Sequence, residues 1–201
     1  MTWKRKPVTT RLTTWMLGGL ALLAACSTPA PVVDARKIPV LQVEQIERGV
    51  LIVLPSAVLF EVGKSEINAI AAKPHLDRVA QLLTTKTTKS VSLEGHTDSD
   101  GPAALNDSLS LLRAQSLAQA LETRGVAMSR ISAAGFSFNR PAASNATDEG
   151  KRLNRRVEVI VLDEKLGTMT AGEPAGSFES AWARIKDMID RGLVKPATNT
   201  P

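Results

Sequence analysis

LEGHTDSDG, residues 93–101, sets three carboxylates and one of the chain's two histidines into nine residues. On its N-terminal side, residues 90–94 read SVSLE, alternating polar and apolar side chains as a half-buried strand does. On its C-terminal side, Pro102 opens a run from about 103 to 124 that reads as a helix, with Gly125 as its stop. A strand, a short polar loop and a long helix in direct succession point to a layered α/β structure, with the loop at the end of the sheet.

The flanking sequence repeats this texture. Residues 50–54, VLIVL, form an apolar run of strand length, 131–136 are a weaker strand candidate, and 157–162 are rich in valine and isoleucine. Between the first two strands, Leu76, Val79, Leu82 and Leu83 follow helical spacing, with Pro74 near that helix's start. Alternating strands and helices predict an α/β sandwich, one sheet covered by helices. The chain contains no internal repeat.

The helix after the loop carries more than a core stripe. At about 100° per residue, Asn106, Ser110, Arg113, Ala114, Leu117 and Leu121 share one face. Its C-terminal half is Leu and Ala, as a buried stripe should be, whereas its N-terminal half is polar and charged. An arginine on a core-facing stripe needs an acidic partner, because a buried unpaired charge costs several kcal/mol. Asp98, just upstream in the loop, is the natural candidate.

Outside these elements the chain divides by composition. Residues 1–26 place Lys4, Arg5, Lys6 and Arg11 ahead of an uncharged run of about 11 residues, too short to span a bilayer, and read as an export signal. Its end, Leu23-Ala24-Ala25-Cys26, resembles the lipobox of bacterial lipoproteins, in which the cysteine is acylated and becomes the first mature residue. Cys26 is the only cysteine, so no disulfide competes for it. Ser27 stands where an aspartate would suggest inner-membrane retention, and the outer membrane is the expected destination. Residues 27–48, with proline concentrated at their start, read as a tether, 49–163 as the folded domain, and 164–201 as a C-terminal extension. In that extension residues 177–191 form an amphipathic pattern, with Phe178, Trp182, Ile185 and Ile189 on one stripe, expected to dock on the domain or, alternatively, to recruit an envelope protein.

GHTDSDG, followed by Asn106-x-x-Leu109-Ser110-x-x-Arg113-Ala114, then Gly135-Phe136, Pro141, Asn145 and Asn154-Arg155-Arg156-Val157-Glu158, resembles the OmpA-like C-terminal domain. The upstream VLFEVGKSEI, residues 58–67, is similar to that family's first strand and its exit. With the lipobox in front, the whole chain resembles a peptidoglycan-associated outer-membrane lipoprotein. The resemblance implies a βαβαβ-type sandwich with a mixed sheet and non-covalent binding of the diaminopimelate stem peptide of peptidoglycan, tethering outer membrane to cell wall. An alternative use of the same grip is to position an envelope or secretion-machine assembly factor. Asp98 and Arg113 match the family's ligand-gripping positions, with Thr97 and Gly63 as loop contacts, Asn106 as a polar wall and Arg155 as a supplementary cation. Two positions depart from the family's habit. Glu61 replaces an aspartate, and Ser137 replaces a glycine, which leaves that turn's geometry open because glycine tolerates positive φ at little cost.

Other functions are disfavoured on chemical grounds. Of 25 basic residues four lie in the export signal, leaving 21 against 20 acidic ones, so the basic balance is no sign of nucleic-acid binding. With His75 and His96 as the only histidines, no metal site is expected, and the calcium-loop pattern fails at Leu109, where a glutamate is required. Gly63-Lys64-Ser65 lacks the first glycine of a phosphate loop at Val58, and Gly135 to Asn139 lacks the closing glycine of a nucleophile elbow. His96 is expected as a hydrogen-bonding loop residue. The reading is therefore a binding protein without enzyme activity or cofactor. After the export signal, Trp182 and four phenylalanines are the only aromatic residues, which favours recognition of the peptide stem over the glycan.

Overall fold

The structure, a computed structural model, describes residues 1–2 and 38–197. Residues 3–37, which include nearly all of the expected export signal, Cys26 and most of the expected tether, and residues 198–201 lie outside the described residues.

Six strands form one mixed sheet in the order β4-β3-β5-β2-β1-β6. The strands are β1 (Leu41–Ile46), β2 (Gly49–Pro55), β3 (Val91–Gly95), β4 (Ile131–Gly135), β5 (Arg156–Leu162) and β6 (Phe178–Ser180). β5 runs antiparallel to both β2 and β3, whereas β3 and β4 are parallel and joined by a helix crossover. The helices are α1 (Ser56–Leu59), α2 (Lys73–Thr85), α3 (Ala103–Glu122), α4 (Asp148–Asn154), α5 (Leu166–Thr170) and α6 (Ala181–Asp190).

The alternation of strand side chains decides which face is covered. Val50, Ile52 and Leu54 of β2, Val91 and Leu93 of β3, and Val157, Val159 and Val161 of β5 belong to one buried cluster. Leu76, Val79, Leu82 and Leu83 of α2 and Ala114, Leu117 and Leu121 of α3 belong to it as well. Each leucine buried there contributes about 1.5–3 kcal/mol. The intervening residues, among them Glu94, Arg156, Glu158 and Ile160, point to the other face, where an open cleft forms.

Two glycines let α3 settle onto the sheet. Gly95 and Gly135 are neighbours across the β3–β4 pairing. A Cβ at Gly95 would lie 2.0 Å from the Ser110 carbonyl oxygen, and one at Gly135 would lie 2.5 Å from the Ser110 hydroxyl. The polar half of α3 is thereby held against the strand ends.

Two boundaries read from sequence need correction. Residues 41–48, assigned to the tether, are strand β1 and its turn into β2, with Ile46 paired to Gly49. LQVEQI does alternate, and Leu41 and Val43 are buried. The C-terminal extension is part of the same fold. β6 pairs in parallel with β1, Met169 of α5 joins the core, and the buried Arg78–Glu173 ion pair at 2.5 Å fixes the segment to α2. The amphipathic pattern read over 177–191 splits, because Phe178 lies in β6 and stacks under the Arg78 guanidinium at 5.5 Å. α6 starts only at Ala181, capped by the Ser180 hydroxyl accepting from the Ala183 amide at 3.1 Å. Trp182 remains 43 % exposed.

Candidate functional site

The loop between β3 and α3 is held from three sides. The His96 amide donates to the Arg156 carbonyl and the Thr97 amide to the Ser137 carbonyl, each at 2.9 Å. Ser137 takes φ 51, the left-handed conformation that its glycine-like position demands, and its amide donates to the Ser110 hydroxyl at 3.1 Å. Asn106 donates to the Asp100 carbonyl at 2.9 Å, and the Asp100 amide donates to Asp98 Oδ1 at 3.1 Å, an Asx turn that orients the carboxylate.

Asp98, Thr97, Asn106 and Arg113 are all buried. The expected Asp98–Arg113 ion pair is absent among the described residues. Asp98 Oδ2 instead pairs with Arg155 Nη1, from the residue after α4. Arg113 is only 3 % exposed, yet its guanidinium pairs with no carboxylate among the described residues. Its Nε donates to the Lys64 carbonyl at 3.0 Å, and its guanidinium lies 5.2 Å from the Phe60 ring centroid. Burial lowers its pKa first and the neighbouring Arg155 charge lowers it further, with Asp98 opposing both. Gly63, at φ 72, turns the loop that brings the Lys64 carbonyl over Arg113. The Thr97 hydroxyl is buried without a hydrogen-bond partner among the described residues. Two guanidiniums and one carboxylate thus share this end of the sheet, an arrangement suited to a ligand carrying both charges with a carboxylate for Arg113.

Asn145 and Asn154 are motif members to which the sequence pattern alone gives no role. Asn154 is fully buried, its Oδ1 accepting from the Ala142 and Ala143 amides at 2.8 and 3.0 Å. Its Nδ2 donates to the Ala143 carbonyl at 2.7 Å and to Asn145 Oδ1 at 2.9 Å, and the same Oδ1 accepts from the Ser99 amide at 3.3 Å. The pair therefore ties the loop bearing Asp98 to the start of β5.

A second polar cluster is not anticipated by the sequence motifs. Glu94, His96 and Glu158 converge on the sheet's other face, in a cleft of about 410 Å³ that Arg48, Arg140, Arg156 and Trp182 also line. His96 is not the hydrogen-bonding residue expected from sequence. Neither ring nitrogen has a hydrogen-bond partner among the described residues, Nε2 lies 3.7 Å from Glu158 Oε2, and the ring stacks on Phe136. Burial lowers the His96 pKa, outweighing the opposing influence of Glu158. Burial would raise Glu158, but His96 and Arg156 together hold it down at about 2. The signal lies in the register, since the antiparallel pairing sets Glu94 directly opposite Glu158.

Residues 59–155 match the OmpA family. Outer membrane protein Omp38 of Acinetobacter baumannii is 37 % identical over 125 residues, covering 62 % of this chain and 35 % of the relative. This chain therefore spans about a third of that relative's length. Outer-membrane lipoprotein YfiB of Pseudomonas aeruginosa is 34 % identical over 147 residues, which cover 71 % of this chain and 87 % of YfiB. Among solved structures, the cell wall anchor of the T6SS from Pseudomonas aeruginosa superposes with a TM-score of 0.55 at 34 % identity, covering 61 % of this chain and 87 % of that one.

Proposed function

The chain belongs to the OmpA family, and from that premise we propose that it binds peptidoglycan without covalent chemistry, through the diaminopimelate of the stem peptide. Arg113 carries this reading: it is a buried guanidinium with no carboxylate partner among the described residues, beside a carboxylate that faces the same loop. Diaminopimelate ends its side chain in an ammonium and a carboxylate. The carboxylate would meet Arg113 in a bidentate pair, and the ammonium would share Asp98 with Arg155. The desolvation of Arg113 is incurred in folding, and its orientation is fixed by Lys64 and Phe60, so the ligand meets a preorganised cation. Asn106 holds the loop as a polar wall, and Thr97 and the turn at Gly63 border the ligand.

The second part of the proposal concerns location. The lipobox ending at Cys26 would be acylated and hold the chain in the outer membrane, with the domain in the periplasm, so that wall binding tethers membrane to peptidoglycan. The names of YfiB, an outer-membrane lipoprotein, and of the cell wall anchor agree with that use. The role is mechanical, with no bond made or broken.

Cosedimentation with purified peptidoglycan sacculi tests the reading. Wild type should pellet with the sacculi and Arg113→Ala should stay in solution at the same protein concentration. Equal pelleting of the two proteins would remove Arg113 from the site.

A further inference from the structure

We propose that Glu94, His96 and Glu158 form a binding site for a divalent transition metal, with Zn²⁺ as its natural occupant, in the cleft on the sheet face opposite the α2–α3 layer. One ligand atom from each of the three side chains lies within 4.8 Å of the other two. They come from two adjacent strands and the residue just past one of them. Glu94 and Glu158 are direct cross-strand partners, and His96 follows Glu94 by two residues onto the same face. Like charges directly opposite each other destabilise a strand pair, and Arg48, Arg140 and Arg156 offset that repulsion here.

His96 is the independent observation. Its side chain is 1 % exposed and both ring nitrogens lack a hydrogen-bond partner among the described residues, although two carboxylates stand beside it. A buried polar group of that kind is costly unless something satisfies it. A metal ion does so, since a neutral imidazole and carboxylates are ligands that zinc accepts, at about 2.0–2.2 Å.

The surrounding arginines bear directly on whether a cation can enter. Arg156 donates to Glu158 Oε1 alone, at 2.7 Å, leaving Oε2 turned toward His96. That guanidinium would orient the carboxylate as metal ligands are commonly oriented by their hydrogen-bond partners. On Glu94, Oε1 accepts from Arg48 at 2.6 Å and from the Ser92 hydroxyl at 3.2 Å, while Oε2 accepts from Arg140 at 3.2 Å. Arg140 is therefore the group that a metal must displace. Its side chain is 54 % exposed and its guanidinium lies 3.7 Å from the Phe136 ring centroid, a resting place that it keeps when it leaves Glu94. The open cleft admits the ion and leaves a position for water.

The test is equilibrium titration of the untagged full-length chain with Zn²⁺ at neutral pH, carrying Cys26→Ser so that a thiol cannot take the ion. Wild type in that background should saturate with a single equivalent, and His96→Gln should lose the saturable uptake while keeping its circular dichroism spectrum. Arg140→Gln, a change at an exposed side chain, should bind Zn²⁺ more tightly than wild type because the competing cation is gone. Absence of saturable uptake, uptake retained in His96→Gln, or an affinity in Arg140→Gln no higher than wild type would each overturn the proposal.

Discussion

The two charged clusters at the end of β3 draw on neighbouring residues, Glu94 and His96 for one and Asp98 for the other, yet differ in what they lack. Around Asp98 the unsatisfied group is a cation: Arg113 is buried without a carboxylate partner among the described residues, because Asp98 is taken by Arg155. Around His96 every carboxylate is paired with arginine, and the unsatisfied group is an imidazole with neither ring nitrogen hydrogen-bonded among the described residues. Consecutive residues serve the two clusters, Arg155 reaching Asp98 and Arg156 reaching Glu158. A buried pair that loses one member is destabilised, whereas a buried charge held without a partner is already destabilising before any ligand arrives. On the proposed reading the first cluster receives an anion, while the second holds strands together and presents an electron-pair donor.

The largest expected effect comes from unbalancing the balanced cluster. Glu158→Gln leaves the buried Arg156 without its carboxylate and should lower unfolding free energy by about 3–5 kcal/mol in chemical denaturation. Sacculus binding should survive under native conditions. A variant as stable as wild type would mean that the cluster is not structural.

Arg113→Met reverses the pattern. An apolar side chain of similar length removes a buried cation, so stability should equal or exceed that of wild type, while peptide binding should lose about 2–5 kcal/mol. Parallel loss of stability and binding would make Arg113 a structural residue and erase the distinction between the clusters.

Acid titration sharpens the contrast. Glu158 is held from 4.5 down to about 2, so its contribution is present above its ordinary pKa and disappears as the pH falls through that interval. The difference corresponds to on the order of 3 kcal/mol. His96, lowered from 6.5 by burial, adds a loss of the same sign beginning below that pH. Denaturant midpoints measured from pH 7 to about pH 2 should therefore fall throughout, and Glu158→Gln should flatten the lower part of the curve.

The smallest effect tests the link between the clusters. Asn154→Ala strands the Ala142 and Ala143 amides and frees Asn145 from one of its two tethers. It should cost about 1–3 kcal/mol of stability, and titration calorimetry should show peptide binding weakened but not abolished.

Much of the binding end is legible in the amino-acid sequence. The strand, the loop and the helix around LEGHTDSDG have distinct periodicities, and the mixing of Asn106, Ser110 and Arg113 into a core stripe marks where the helix face stops being core. The identity of Asp98's partner is not legible there, because Arg155 is distant in sequence and reaches the loop only through the β3–β5 register. β1 is obscured by the proline-rich segment before it, although its alternation is clear once β2 is in place. β6 is three residues long, and its strand character comes from pairing with β1, so local sequence alone suggests a helix running through it. The Glu94–His96–Glu158 cluster escapes because counting histidines ignores carboxylates that only strand pairing brings together.

The most direct test of the account is calorimetric titration of the chain with matched stem peptides bearing either diaminopimelate or lysine at the third position. Lysine keeps the ammonium and removes the side-chain carboxylate, which is the group Arg113 is held to meet. Saturable binding of the diaminopimelate peptide, with the lysine peptide weakened as much as Arg113→Ala weakens the first, is the predicted result. Equal affinity for both peptides would contradict the assignment of the buried guanidinium to a ligand carboxylate.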